Sequence, residues 1–252
     1  MKIKEITALI ERFAPLTSAL DFDNVGLLVG GGEAECTGVL LCLDVTSGAV
    51  KAAVKNNCNL IISHHPLIFT PKRAFLYDDY QSGLIVKAYN KKISVYAAHT
   101  NLDAMSGNMT VRTLTALGAY NIVPFLNGFG AIGDISTTTL KKLCSEASEV
   151  LKDNRVFYTG AADKKISKVA MINGAGADDE SVAAAKKAGA DVFISSELKH
   201  HLLIWAKENG YALMSIGHYA SEKCFNDVVS DILKCHFDTL KINKYYEGNP
   251  YN

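Results

Sequence analysis

Two adjacent histidines end an aliphatic run in Leu60-Ile61-Ile62-Ser63-His64-His65-Pro66. The apolar residues predict a buried strand, and Pro66 bars its continuation as strand or helix, so both imidazoles fall where the backbone turns. Neighbours in extended chain point to opposite sides, but at such a break both rings can face one cavity and serve two different metal ions. Two further predicted strands stop in ligand-capable residues. Residues 93–97 run into Ala98-His99-Thr100-Asn101-Leu102-Asp103, and residues 211–215 into Ile216-Gly217-His218-Tyr219-Ala220-Ser221-Glu222. His218 and Glu222 are four apart, which on a helix places them on one face. The imidazoles of His64, His65 and His218 with the carboxylates of Asp103 and Glu222 suffice for two divalent ions if one carboxylate is shared. Their mixed nitrogen and oxygen donors suit zinc, iron, manganese or cobalt better than calcium or magnesium. Two such ions, roughly 3.5–4 Å apart, polarise a substrate and acidify water, which is hydrolytic chemistry.

The elements that must carry these residues follow from periodicity. Ile3, Ile6, Ile10 and Phe13 predict an amphipathic helix stopped by Pro15. Residues 38–44 form a continuous apolar strand, Ser47 can cap the next helix, and the strand before His64 completes a βαβ unit, which favours a parallel pair. A helix over about 79–90 leads to the strand before His99, and Asn108 opens a helix closed by Gly118. Residues 121–136, with Pro124, Gly128, Gly130 and Gly133, are the expected linker. Beyond it, helices and strands alternate through residue 215, with a terminal helix to about Cys235. The turn Asn173-Gly174-Ala175-Gly176-Ala177-Asp178 lacks the G-K-[ST] of a phosphate loop and reads as a tight strand-to-helix turn. The expectation is α/β, with two α/β domains of mixed, largely parallel sheets flanked by helices and the metal site in the crevice between them. The first would comprise residues 1–123 plus 216–252, and the second 124–215. Functional groups gather beyond the carboxyl ends of strands in such sheets.

Composition bounds the partners. The 252 residues are 48% hydrophobic and 21% charged, ordinary for a globular chain. Lys and Arg number 26 against 26 Asp and Glu, so there is no net positive field, and nucleic acid is not an expected partner. Charges at Lys2, Lys4 and Glu5 interrupt the place where a signal peptide needs its apolar region, and no apolar run reaches the ~18 residues of a membrane span. A cytoplasmic chain without membrane contact is expected. The six cysteines form no C-x-x-C pair and read as reduced, mostly buried thiols. Trp205, near Leu202 and Leu203, reads as core or subunit contact, and His200 and His236 as surface or partly buried helix residues.

Asp23-Asn24-Val25-Gly26-Leu27, Ser63-His64-His65-Pro66, His99-Thr100-Asn101-Leu102-Asp103, Ser196-Glu197-Leu198-Lys199-His200-His201 and Gly217-His218-Tyr219-Ala220-Ser221-Glu222 stand in this order. Together they resemble the Ngg-one-interacting-factor-three-like proteins, often labelled GTP cyclohydrolase I type 2 homologues, from end to end. The resemblance implies two α/β domains, a dinuclear metal centre and a toroidal homohexamer. It further implies that His64, His65, Asp103, His218 and Glu222 are the metal ligands, with Glu222 bridging. His99 and His201 occupy positions that line the same cavity, as proton shuttles or ligand-orienting groups; the alternative for each is a hydrogen-bonded structural histidine. Asp23 and Asn24 read as a turn or as residues lining the site. Phe22 stands where the family usually has Trp, and Ser195-Ser196-Glu197 where it has Thr-Gly-Glu or Thr-Gly-Asp. The long inserted domain of larger members is lacking, so the chain resembles the short form. The activity implied is dinuclear metal-dependent hydrolysis of GTP or a related nucleotide or heterocycle by cyclohydrolase-type ring opening. The alternative from another class is a non-catalytic metal-binding ring scaffold or regulatory interaction protein.

Overall fold

The computed structural model describes residues 1–76 and 78–251. In chain order its first elements are α1 (Ile3–Phe13), β1 (Gly26–Val29), β2 (Val39–Cys42), α2 (Ser47–Lys55), β3 (Leu60–Ser63), α3 (Tyr80–Asn90) and β4 (Ser94–Ala97). There follow α4 (Thr100–Asp103), α5 (Met109–Ala116), β5 (Tyr120–Phe125), β6 (Gly130–Thr139), α6 (Leu140–Leu151), β7 (Phe157–Thr159) and β8 (Lys165–Ile172). The chain closes through α7 (Asp179–Lys187), β9 (Val192–Ser195), α8 (His200–Glu208), β10 (Ala212–Ser215), α9 (His218–Glu222), α10 (Phe225–Lys234) and β11 (Ile242–Lys244). These elements make two units: Met1–Leu102 with Phe225–Asn252, and Asp103–Cys224.

The first unit is a five-stranded sheet ordered β1-β4-β3-β2-β11. Strands β2, β3 and β4 are parallel, as the βαβ pattern predicts, with β11 parallel on one edge and β1 antiparallel on the other. Every position of the three central strands is buried, which is why they read as unbroken apolar runs rather than alternating ones. On one face Leu40, Cys42, Ile61 and Val95 pack against Ala49, Val50 and Ala53 of α2 and Leu84, Ile85 and Ala88 of α3. The helical stripe Ile3, Ile6 and Ile10 of α1 is fully buried beside α10. Cys42, Ser63 and Ala97 are register partners, so the three parallel strands end level and deliver Asp44, His64 and His65, and His99 to one edge. Thr46, rather than Ser47, caps α2, accepting from Ala49 N.

The second unit is a six-stranded sheet ordered β5-β6-β8-β9-β10-β7. Its centre, β8-β9-β10, is parallel, while β5, β6 and β7 pair antiparallel, so this sheet is more mixed than expected. Along β8 to β10, Val169, Met171, Val192, Ile194, Ala212 and Met214 enter one core while the alternating Ala170, Phe193 and Leu213 enter another. Period-two alternation thus buries both faces. Half-buried Trp205 packs against the second of these cores. Ile172, Ser195 and Ser215 end in register, so Gly174, Ser196 and His218 follow from one edge. The glycine turn is the tight β8-to-α7 connection expected, capped by Asp178.

Two sequence expectations are corrected here. Residues 121–136 are not a linker but a hairpin of β5 and β6, and its glycines permit close approach rather than flexibility. A Cβ on Gly130 would lie 2.8 Å from the Met171 carbonyl oxygen, and one on Gly133 would lie 3.0 Å from Ile122 Cγ1. Residues 103–123 and 216–224, expected with the first domain, fall in the second unit. There β5 extends its sheet, and α5 and α9 supply Leu114 and Ala220 to its core. Of the six cysteines only Cys42 and Cys58 are buried; all are free, and Cys235 is exposed. No helix among the described residues is long and apolar enough to cross a membrane.

Because the hairpin packs directly on β8, Gly130→Ala should cost about 1–3 kcal/mol through backbone displacement. Urea unfolding checks this as a lowered midpoint with an unchanged slope.

Candidate metal centre

In the first unit one ring nitrogen from each of His64, His65 and His99 lies within 4.8 Å of the other two. Ring centroids are 5.0 Å apart for His64–His65 and 4.9 Å for His64–His99. Consecutive imidazoles face one place because the ladder runs one step past the strand: His64 N donates to Cys42 O and His65 N to Leu43 O before Pro66 ends it. Each ring is held at Nδ1 by a group that can only accept. His64 Nδ1 donates to Ala98 O at 2.9 Å, His65 Nδ1 to Asp44 Oδ1 at 2.9 Å, and His99 Nδ1 to Asp23 Oδ1 at 2.9 Å. A carbonyl or ionised carboxylate there requires the proton on Nδ1, so in each neutral ring the lone pair is on Nε2, the nitrogen that ligates metal.

Asp23 explains the Asp-Asn-Val-Gly segment. Its side chain is fully buried, and it also accepts from Thr100 N at 3.0 Å and from Thr100 Oγ1. Burial alone would push the carboxyl up, but the bonds from His99 and Thr100 outweigh it and hold Asp23 well below the usual carboxylate range. Asn24 Nδ2 meanwhile donates to Ile68 O at 2.5 Å, tying this turn to the segment after the histidine pair. Asp44 is supported from the C-terminal tail, where Glu247 Oε1 accepts its backbone N–H at 3.0 Å. Burial pushes the Glu247 carboxyl up.

The second unit holds His218 and Glu222, one helical turn apart on α9 as the spacing predicts. His218 Nδ1 donates to Glu197 Oε1 at 2.6 Å, and its Nε2 is 3.0 Å from Oε2 of the buried Glu222. The bond to Glu197 orients this ring, and its Nε2 with the Glu222 carboxylate would offer two donors to a metal ion. Gly174 makes room for this. Its φ of +64° is the left-handed conformation, and a Cβ would stand 2.9 Å from Glu222 Oε1. The family departure at Ser196 also has a structural use. Ser196 is buried, accepts from Gly174 N at 2.7 Å and lies 2.6 Å from Ser221 Oγ, which in turn donates to His218 O at 2.8 Å. With the Ser221 proton committed to His218 O, Ser196 is the donor to Ser221, and a hydroxyl chain pins the first turn of α9.

Asp103, the last residue of α4, is half-buried, and its carbonyl accepts from Asn108 Nδ2. His201 is exposed on the first turn of α8, its Nε2 3.4 Å from Asp179 Oδ2. Among the described residues, neither joins a group of three closely spaced ligand atoms. His200 and His236 are exposed, as expected of surface residues. Sequence reading missed Asp44 and Glu197, yet both carried a signal: each is an acid just beyond an apolar strand, β2 and β9 respectively. The donors of each unit suit a divalent transition metal: in the first, imidazoles fixed in the ligating tautomer, and in the second, an imidazole beside a buried carboxylate with a glycine where a side chain would crowd it.

A family model described as Duf34/NIF3 (NGG1p interacting factor 3) matches residues 1–248. A Clostridium acetobutylicum protein named GTP cyclohydrolase 1 type 2 homolog is 34% identical over 233 residues, covering 88% of this chain and 85% of the relative. A Clostridium perfringens protein of the same name is 31% identical, covering 95% and 94%. Among solved structures, a Staphylococcus aureus hypothetical protein superposes with a TM-score of 0.90 at 26% identity over 97% of this chain and 96% of its own. Reduced HcgD from Methanocaldococcus jannaschii gives 0.83 at 27% identity, covering 97% of each.

Asp23→Asn should destabilise the protein by about 1–3 kcal/mol, since it weakens a buried charge-assisted network. A folded-state carboxyl held below its unfolded value of roughly 3.9 contributes stability that is full above that value and lost as pH falls through the folded one. The wild-type advantage over Asp23→Asn, measured by urea unfolding, should therefore be largest near neutrality and shrink below about pH 4. Gly174→Ala should reduce zinc or manganese retained after dialysis, measured by elemental analysis, because strain and the added methyl both displace Glu222.

Proposed function

This chain belongs to the Duf34/NIF3 family, and from that membership and its histidine geometry we propose that it is a dinuclear metal-dependent hydrolase. In this reading His64, His65, Asp103, His218 and Glu222 would hold two divalent ions, zinc, iron, manganese or cobalt. The observation that supports it most is the shared tautomer: the three ligand imidazoles of this reading, from His64, His65 and His218, each donate from Nδ1 to an oxygen acceptor. Surface histidines have no need of such uniformity, whereas ligands do. When bound, the two ions supply Lewis acidity and a lowered water pKa.

The protein's own groups do the rest. Asp44 and Glu197 orient His65 and His218 and raise their basicity as ligands. His99 is the proton carrier: Asp23 holds the proton on its Nδ1, so Nε2 can take a proton and return it to a leaving group. His201 is assigned the same task from the second unit on the strength of its motif alone. The substrate proposed is GTP or a related heterocycle, as the relatives' names suggest; ring opening consumes two waters and releases the carbon of the purine's imidazole ring as formate. The assembly proposed is a toroidal homohexamer.

The test is elemental analysis of the purified chain, then nucleotide consumption and formate release with added manganese, zinc, cobalt or iron. His65→Ala and Glu222→Ala should each lose most of the bound metal and lower turnover at least a hundredfold, while His99→Gln should keep the metal and lose about 10²–10⁴-fold in rate. Loss of metal with every measured activity intact would overturn the hydrolase, and bound metal without turnover on any substrate would favour the ring scaffold. Light scattering should return six times the chain mass of 27.2 kDa.

A further inference from the structure

Beside the histidine cluster of the first unit stand two phenyl rings that the chemistry proposed above does not use. Phe22 is 64% exposed and Phe69 42%, yet their centroids are 6.1 Å apart at an interplanar angle of 54°. Phe69 in turn meets the His99 ring edge-on at 6.3 Å, and His99 lies against His64 and His65. A continuous run of rings therefore leads from solvent to the candidate centre.

Isolated exposed apolar side chains need no explanation, but this pair is clamped. The residues next to each phenyl, Asn24 near Phe22 and Ile68 beside Phe69, are joined by the hydrogen bond from Asn24 Nδ2 to Ile68 O, and Asp23, adjacent to Phe22, is anchored on His99 and Thr100. The chain segments that carry both rings are thus held before anything binds, which lowers the ordering cost of association. Their tilted arrangement leaves aromatic face open to a further ring.

We propose that Phe22 and Phe69 form the binding platform for a planar heteroaromatic ring of nucleobase size, with His99 meeting the polar edge of that ring. This rests on the hydrolase reading for the chemistry but not for the platform itself. An aliphatic chain would gain contact area from the phenyls but offer nothing to the imidazole nitrogen. A heterocycle satisfies both, stacking its face on the phenyls and presenting ring nitrogens or carbonyls to His99. Two phenyls and one imidazole also span far less than the roughly 800 Å² per partner that a stable protein interface needs. An indole presents a larger face than a phenyl, so Phe22→Trp should enlarge the stacking surface.

The experiment is calorimetric titration of the full-length, manganese-loaded protein with guanosine and, as a ringless control, ribose 5-phosphate. Phe22→Ala and Phe69→Ala should each weaken guanosine binding about tenfold, the size of one lost stacking contact. Both should leave ribose 5-phosphate affinity within twofold and metal content unchanged, and Phe22→Trp should bind guanosine at least as tightly as the parent. The platform is overturned if the parent shows no saturable guanosine binding, if both alanine variants bind guanosine as the parent does, or if guanosine and ribose 5-phosphate weaken together. It is also overturned if either variant lowers the assembled mass by light scattering, which would make the pair a seat for a second copy of the chain. Metal loss in His65→Ala reports on the centre separately, so failure of the platform leaves the hydrolase reading standing and the converse is equally visible.

Discussion

A hydrogen bond from Nδ1 to an oxygen acceptor is the constraint on which the candidate ligands of each unit depend. A neutral imidazole otherwise divides between two tautomers and turns freely about its side-chain torsions. Ala98 O, Asp44, Asp23 and Glu197 remove both freedoms from His64, His65, His99 and His218. Each bond aims Nε2 and, in the neutral ring, leaves the lone pair on it. Three of the four acceptors are carboxylates, so the rings are held by charge-assisted bonds, each stronger than a neutral one.

Those acceptors are in place because parallel strands end level. In the first unit β2, β3 and β4 stop in register, so Asp44 after β2 can reach His65 after β3, and Ala98 after β4 can reach His64. In the second, β8, β9 and β10 stop together, so the turns after β8 and β9 meet α9: Gly174 clears Glu222, Ser196 bonds Ser221, and Glu197 holds His218. A one-residue register slip would turn each of these side chains to the opposite face. The double-sided burial of both sheets makes such a slip costly, and the cores thereby secure the chemistry.

The residues with the types to bind metal were legible from sequence because each follows an apolar run that ends abruptly, at Pro66, at Thr100 or at Gly217. The βαβ unit was legible for the same reason. What misled was glycine. Gly128, Gly130 and Gly133 looked like a flexible connection, but in β6 the last two are small so that neighbouring backbone can approach, and composition alone does not separate these uses. The domain boundaries shifted with that error, since a hairpin mistaken for a linker moves every division near it. Asp44 and Glu197 went unremarked because an acid after a strand is common, and their value comes from partners 21 residues away.

By itself the sequence determined the alternation of strands and helices, the apolar stripes that bury them, and the kinds of side chain left at the strand ends. These are local properties, set by periodicity and by residues such as Pro66 and Asn108 that stop or cap an element. Only the tertiary structure decided which acceptor holds each imidazole, that the Asp23 side chain is buried under His99, and that Ser196 braces α9. The physical reason is that hydrogen bonds and steric clearances act over about 3 Å between residues that chain spacing does not relate. Until the sheets set their register, no count along the chain says which side chains will meet.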